Sequence, residues 1–132
     1  MKNNRHEKYN SGCTDTILMI EPVHFDYNPE TAVNNFFQQK NGAGGSETHR
    51  LAHAEFTGMV QKLQNAGIQV ITVKDTPFPY TPDSIFPNNW ISFHLNNHVI
   101  FYPVFAENRR LERRMDVLLE IENQLNRKFK YT

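Results

Sequence analysis

The segment Thr81 to His94, TPDSIFPNNWISFH, concentrates the side chains best suited to holding a polar ligand. A proline-punctuated loop carrying Asp83, Asn88 and Asn89 runs directly into an aromatic-rich stretch. Carboxamides both donate and accept hydrogen bonds, so Asn88 and Asn89 beside Trp90, at a strand entrance, can line a pocket. The competing reading is that the two asparagines cap a turn while Phe86 and Trp90 fill the core. Covalent chemistry has less to work with. The single cysteine, Cys13, precedes the first apolar run in a tail that offers no cation or helix terminus to lower a thiol pKa. His49 and His53 are four apart on a helix, a metal-binding spacing, but no third ligand stands with them and a solvated helix face is the expectation. His94 and His98 flank a turn and can pair across strands at the surface, while His6 and His24 have no evident partner. No metal and no cofactor are expected.

The elements that must position these side chains alternate between strand and helix. Residues Met1 to Asp15 read as a polar, disordered tail. Thr16 to Glu21 is a short apolar run ended by Pro22, consistent with a buried strand. A short helix is expected over Glu30 to Gln39, then a glycine-rich connector, Asn41 to Gly45, without the Lys-Ser/Thr ending of a phosphate-binding loop. Ser46 reads as an N-cap, Ala52, Phe56, Met59, Val60 and Leu63 recur at helical spacing, and Gly67 sits where a C-cap glycine belongs. Ile68 to Val73 is a β-branched strand. Beyond the proline-rich loop Thr76 to Pro82, Trp90 to Leu95 and Val99 to Tyr102 read as paired strands with Asn96-Asn97 supplying positive φ at the turn. One long helix is expected from Asn108 to Lys128, with Leu111, Met115, Leu118, Leu125 and Phe129 as its apolar stripe and Glu122 as a gap. The second unit is expected to lack a closing strand, the first hint of a fragment.

Composition narrows the class. At 132 residues, 39% apolar and with ten phenylalanines, the chain is of the size and composition of a globular domain, and its alternating strands and helices put it in the α/β class. Fourteen basic residues cancel fourteen acidic ones, and the densest basic run, Arg109, Arg110, Arg113 and Arg114, is interrupted by Glu112, so no nucleic-acid partner is expected. No apolar run approaches a membrane span, so no membrane partner is expected either, and the N-terminus lacks a signal peptide's apolar core. A lone cysteine favours a reducing compartment, with the cytoplasm as the expected location.

Several pieces of the text resemble one superfamily. Pro82-Asp83-Ser84-Ile85-Phe86 looks like the Pro-Asp-x-x-Phe signature of dimethylarginine dimethylaminohydrolases and their amidinotransferase and arginine deiminase relatives. Glu21-Pro22 with Phe25 and Asn28, the pair Glu30-Thr31, Phe86-Pro87-Asn88-Asn89-Trp90 and the run from Asn108 to Arg114 resemble more closely the bacterial arginine deiminase-related, citrulline-utilisation hydrolases. The resemblance reaches from about residue 17 to the C-terminus. It implies a pentein fold, five strand-strand-helix-strand modules around a central site, of which residues 16–132 would be roughly the first two, a truncated catalytic domain. Uncovered module faces would then favour self-association.

The same resemblance implies a function. The substrate would be a small amino acid, arginine- or citrulline-like, attacked at its guanidino or ureido carbon by a cysteine that, with its histidine, lies beyond Thr132. This chain alone would be inactive. Asp83 matches an aspartate that contacts the guanidine end. Asn88 and Asn89 fall where the dimethylarginine enzymes carry a Glu-Asp pair, a departure that favours a neutral ureido group over a cation. Arg109 matches an arginine that binds the substrate's α-carboxylate, a task suited to its fork of donors; the alternative is the solvated start of a helix. Group transfer to an amine, as in amidinotransferases, is the rival chemistry. A non-catalytic binding module is the rival class, since the pentein fold also occurs in a ribosome anti-association factor.

Overall fold

Two open sheets and the helices between them share a single buried core. The computed structural model describes residues 14–35 and 45–132. Most of the polar tail with Cys13 and residues 36–44 lie outside the described residues, and the helix expected over Glu30 to Gln39 has already ended at Ala32. Strand β1, Thr16–Glu21, pairs in parallel with β2, Gln69–Lys74, in the register Thr16↔Gln69 to Glu21↔Lys74. The strand begins and ends where it was expected, and just before it the Asp15 carbonyl accepts the Gln69 N–H at 2.8 Å.

Parallel strands need a crossover, and here it runs through helices α1, Pro29–Ala32, and α2, Gly45–Asn65. Asn28 caps α1 and Pro29 occupies its first position, where a missing N–H costs nothing. Helix α2 begins at Gly45, so Ser46 lies inside it rather than capping it. Gly67 closes it as expected. With φ at +84° it turns the chain so that its N–H reaches the Gln64 carbonyl and the Ile68 N–H reaches Leu63, both at 3.0 Å. The expected apolar face is only half covered: Ala52, Phe56, Val60 and Leu63 are half-buried, and Met59 is 50% exposed.

Strands β3, Ile91–His94, and β4, His98–Phe101, form the expected antiparallel hairpin. Asn96 and Asn97 both adopt φ of 59°, which asparagine tolerates better than most residues. His94 and His98 are cross-strand partners on the exposed face, with His94 Nε2 2.7 Å from Ser92 Oγ.

The C-terminal region departs from expectation twice. The single helix is two, α3 at Glu107–Arg110 and α4 at Met115–Leu125, with Arg114 in extended conformation between them. A tertiary ion pair draws Arg114 out of a continuous helix: it reaches Asp75 at 2.9 Å, while Glu112 pairs locally with Arg109. The stripe is therefore rephased. Leu111 and Met115 are exposed, while Val117, Leu118 and Ile121 are buried. Glu122, expected as a gap, is buried and accepts hydrogen bonds from Lys128 Nζ at 2.7 Å and the Phe129 N–H at 2.9 Å. The second departure is a closing strand: β5, Lys130–Tyr131, pairs in parallel with β4 through His98↔Lys130 and Val99↔Tyr131.

Ile20, Ile71 and Val73 from the first sheet, Ile91 and Val99 from the second, Trp90 just before β3, and Val117, Leu118 and Ile121 of α4 form the core cluster. Trp90 is 1% exposed and stacks on Phe101 at 6.1 Å.

Candidate functional site

The site is built where three distant segments meet behind the Asp83 loop. Successive turns, Ser84 N–H to the Thr81 carbonyl and Phe86 N–H to the Asp83 carbonyl, both 3.1 Å, direct Asp83 inward to 6% exposure. There its Oδ2 accepts from Asn28 Nδ2 at 2.7 Å and Thr31 Oγ1 at 3.0 Å. Asn28 is wholly buried. Its Oδ1 accepts from the Glu30 N–H at 3.1 Å and Asn108 Nδ2 at 2.7 Å, and Glu30 Oε2 accepts the Asn108 N–H at 3.0 Å. The local cause is the cap itself: an asparagine before Pro-Glu turns its carboxamide onto the first turn of α1, and the following turn delivers Thr31 to the same carboxylate.

Arg109 lies 3.9 Å from Asp83 Oδ2, but its fork is committed elsewhere. Nε and Nη2 donate to the two Glu112 oxygens at 3.0 and 2.9 Å, and Nη2 also reaches the carbonyls of Phe86 at 3.4 Å and Asp83 at 3.5 Å. Arg109 is 7% exposed and Glu112 4%. The solvated helix start does not describe this arginine, which is buried with its fork turned to Glu112 and the Asp83–Phe86 loop. It braces the Asp83–Phe86 loop from inside. Burial pushes the Glu112 carboxyl above its ordinary range, with Asp83 and Asp75 adding to the shift, although Arg109 pulls the other way. A second brace sits beside it: Arg114 joins Asp75 to Asp116, and Asp75 also accepts from Thr81 Oγ1 at 3.0 Å.

Asn88 and Asn89 occupy a short 3-10 turn, Pro87–Asn89, and both are exposed. Asn88 Nδ2 donates to Asn89 Oδ1 at 3.0 Å, and neither side chain caps the turn. Trp90 behind them is core, as the competing reading had it, whereas Phe86 is 43% exposed. The structure thus brings Asp83 and Arg109 together and leaves the asparagine pair on the open side of the same loop. Asn28, Thr31 and Glu112 were missed as site residues. The Asn-Pro-Glu helix-start pattern was the signal available for Asn28.

Two clefts flank the loop. One of about 470 Å³ is lined by residues including Asp26, Phe25, His49 and Tyr80, and one of about 260 Å³ by residues including Phe25, Phe56, Met59 and Ile85. None of Asp83, Asn88, Asn89 and Arg109 lines either. Burial first, then Asp26 and Asp83, push the Tyr80 phenol upward. Among the described residues no group of three His, Cys, Asp or Glu side chains is arranged to hold a metal, and no helix is long and apolar enough to cross a membrane. His53 instead lies 3.2 Å from Glu21.

A family model described as N,N dimethylarginine dimethylhydrolase, eukaryotic, matches residues 21–131. Neither a curated protein nor a solved structure matches the chain. The matched span takes in the Asn28 cap, the Asp83 loop and the Arg109 brace. The mixed α/β architecture, with no closed sheet, suits a portion of the pentein fold. The chain belongs to the dimethylarginine dimethylhydrolase family, hydrolases of the guanidino group of methylated arginine that work through a cysteine nucleophile.

Proposed function

We propose that this chain supplies the substrate-holding part of a hydrolase acting on the guanidino or ureido carbon of an arginine- or citrulline-like amino acid. The observation that carries the reading is the Asp83 carboxylate. Its Oδ2 is fixed by Asn28 and Thr31, and no donor among the described residues reaches Oδ1. An acceptor held from behind can take a substrate N–H without reorganising. In the family's chemistry a cysteine thiolate adds to the carbon, an amine leaves with a proton, and water releases the product. That cysteine and its histidine stand outside the described residues. Arg109 serves this function as the loop's brace rather than as the receptor for the substrate's α-carboxylate.

Substrate choice turns on Asn88 and Asn89. Their carboxamides offer donors to a ureido carbonyl and acceptors to its N–H groups, and they add no negative charge for a guanidinium. L-Citrulline is therefore the preferred ligand over L-arginine. Because both positions are exposed, solvent screening limits the effect of restoring two acids to about 1 kcal/mol, roughly fivefold. Calorimetric titration of the protein with both amino acids tests this. Citrulline should bind more tightly, Asn88→Glu with Asn89→Asp should move the preference towards arginine, and Asp83→Asn should weaken both. Equal or tighter binding of arginine by the unmodified protein would sink the ureido preference, and indifference to Asp83→Asn would sink the site.

A further inference from the structure

Building on that reading of Asp83, we infer that Thr31 and Asn28 are positioning residues that set the affinity of the site by fixing the orientation of the Asp83 carboxylate. The torsion that turns an aspartate carboxylate is broad and roughly two-fold, so packing alone orients it poorly. The usual device is a cation gripping both oxygens, and here the nearest one is unavailable: Arg109 Nε is 3.9 Å from Oδ2 and donates to Glu112 instead. Two neutral donors do the orienting. Asn28 Nδ2 and Thr31 Oγ1 converge on Oδ2 at 2.7 and 3.0 Å, which pins that oxygen and leaves Oδ1 without a donor among the described residues.

The donors are themselves anchored. The Asn28 carboxamide is buried between the Glu30 N–H, Asn108 and Asp83, and Asn108 is held by Glu30. Orientation is therefore passed from the first turn of α1 to the loop after β2 by neutral hydrogen bonds, with the Arg109 guanidinium 3.9 Å away and gripped by Glu112. This has a chemical consequence. An aspartate oriented by neutral donors keeps more of its negative charge for the ligand than one gripped at both oxygens by an arginine, and here Arg109, 3.9 Å away, is shared with Glu112.

Thr31 offers the cleaner test, because Asn28 also caps α1 and its loss mixes affinity with folding. Thr31→Val keeps the shape and removes the hydroxyl; Thr31→Ser keeps the hydroxyl. The probes are L-citrulline and dimethyl-L-arginine, titrated calorimetrically into the protein, with a thermal melt of each variant. Thr31→Val should raise Kd about tenfold. Its melting temperature should fall by no more than about 3 °C. Thr31→Ser should bind within about twofold of the parent. In an Asp83→Asn background Thr31→Val should cost little more, since the two act through one group. Parent-like binding by Thr31→Val, or an equal further loss in the Asp83→Asn background, overturns the positioning role while leaving Asp83 as the ligand's acceptor. Parent-like binding by Asp83→Asn overturns the substrate-holding reading itself, and this inference with it.

Discussion

Replacing Arg109 with alanine separates two accounts of that residue by the property that changes. An arginine presented to a substrate carboxylate would be dispensable for folding, and its removal would cost affinity alone. The arginine observed here has a side chain 8% exposed, paired with a Glu112 side chain 2% exposed. Removing one partner of such a pair strands the other, which typically costs about 3–5 kcal/mol. For a chain of this length that corresponds to a fall of roughly 10–18 °C in melting temperature. The cost should depend on pH in a particular direction. Burial already holds the Glu112 carboxyl above its ordinary range, and losing Arg109 pushes it further up. The folded state then takes up a proton that the unfolded state does not, so the deficit should narrow as pH falls from neutral through that raised value. Circular dichroism melts of Arg109→Ala at neutral and mildly acid pH provide the assay, with Arg109→Met plus Glu112→Leu as the companion that removes both charges and should recover much of the loss. A melt of Arg109→Ala within about 2 °C of the parent, accompanied by lost ligand affinity, would refute the brace and reinstate the carboxylate receptor.

Trp90→Ala should cost about 3–5 kcal/mol in urea unfolding, because the ring is 1% exposed at the centre of the shared core. Trp90→Phe should cost less than the lost volume suggests, since it also removes a buried indole N–H that has no partner among the described residues. Glu122, held below its ordinary value by Lys128 and the Phe129 N–H, contributes stability that is present above that ordinary value and lost as pH falls through the folded one. Melts of Glu122→Gln should accordingly depend less on pH at the acid end than those of the parent.

Local signals were legible wherever one residue type answers one backbone demand. Gly67 at positive φ, Asn96 and Asn97 at the hairpin, and the β-branched run of β2 all follow from the chain itself. The break between α3 and α4 was not legible, because Arg114 is drawn out of the helix by its commitment to Asp75, which joins residues 39 apart. Helical periodicity cannot see such a contact. It also took Glu122 for an interruption, although this carboxylate is satisfied by the chain that follows it. Strand β5 has only two residues, too few for a pattern. At the site, Asp83 was legible through the family signature alone, whereas the donors that orient it lie 55 and 52 residues away and become neighbours only in the fold.

Helix α4 follows the second sheet in the chain yet packs against β2 of the first, and Gln124 Nε2 donates to the Thr72 carbonyl at 2.9 Å. This interlock imposes a timetable on biosynthesis. When β2 has left the ribosome, the apolar face around Ile71 and Val73 has no lid until α4 follows, about fifty residues later. At common elongation rates of about 5–20 residues per second, that face waits roughly 3–10 s. A nascent chain paused before Leu125 should therefore be a stronger client for holdase chaperones than one paused after β5 has emerged.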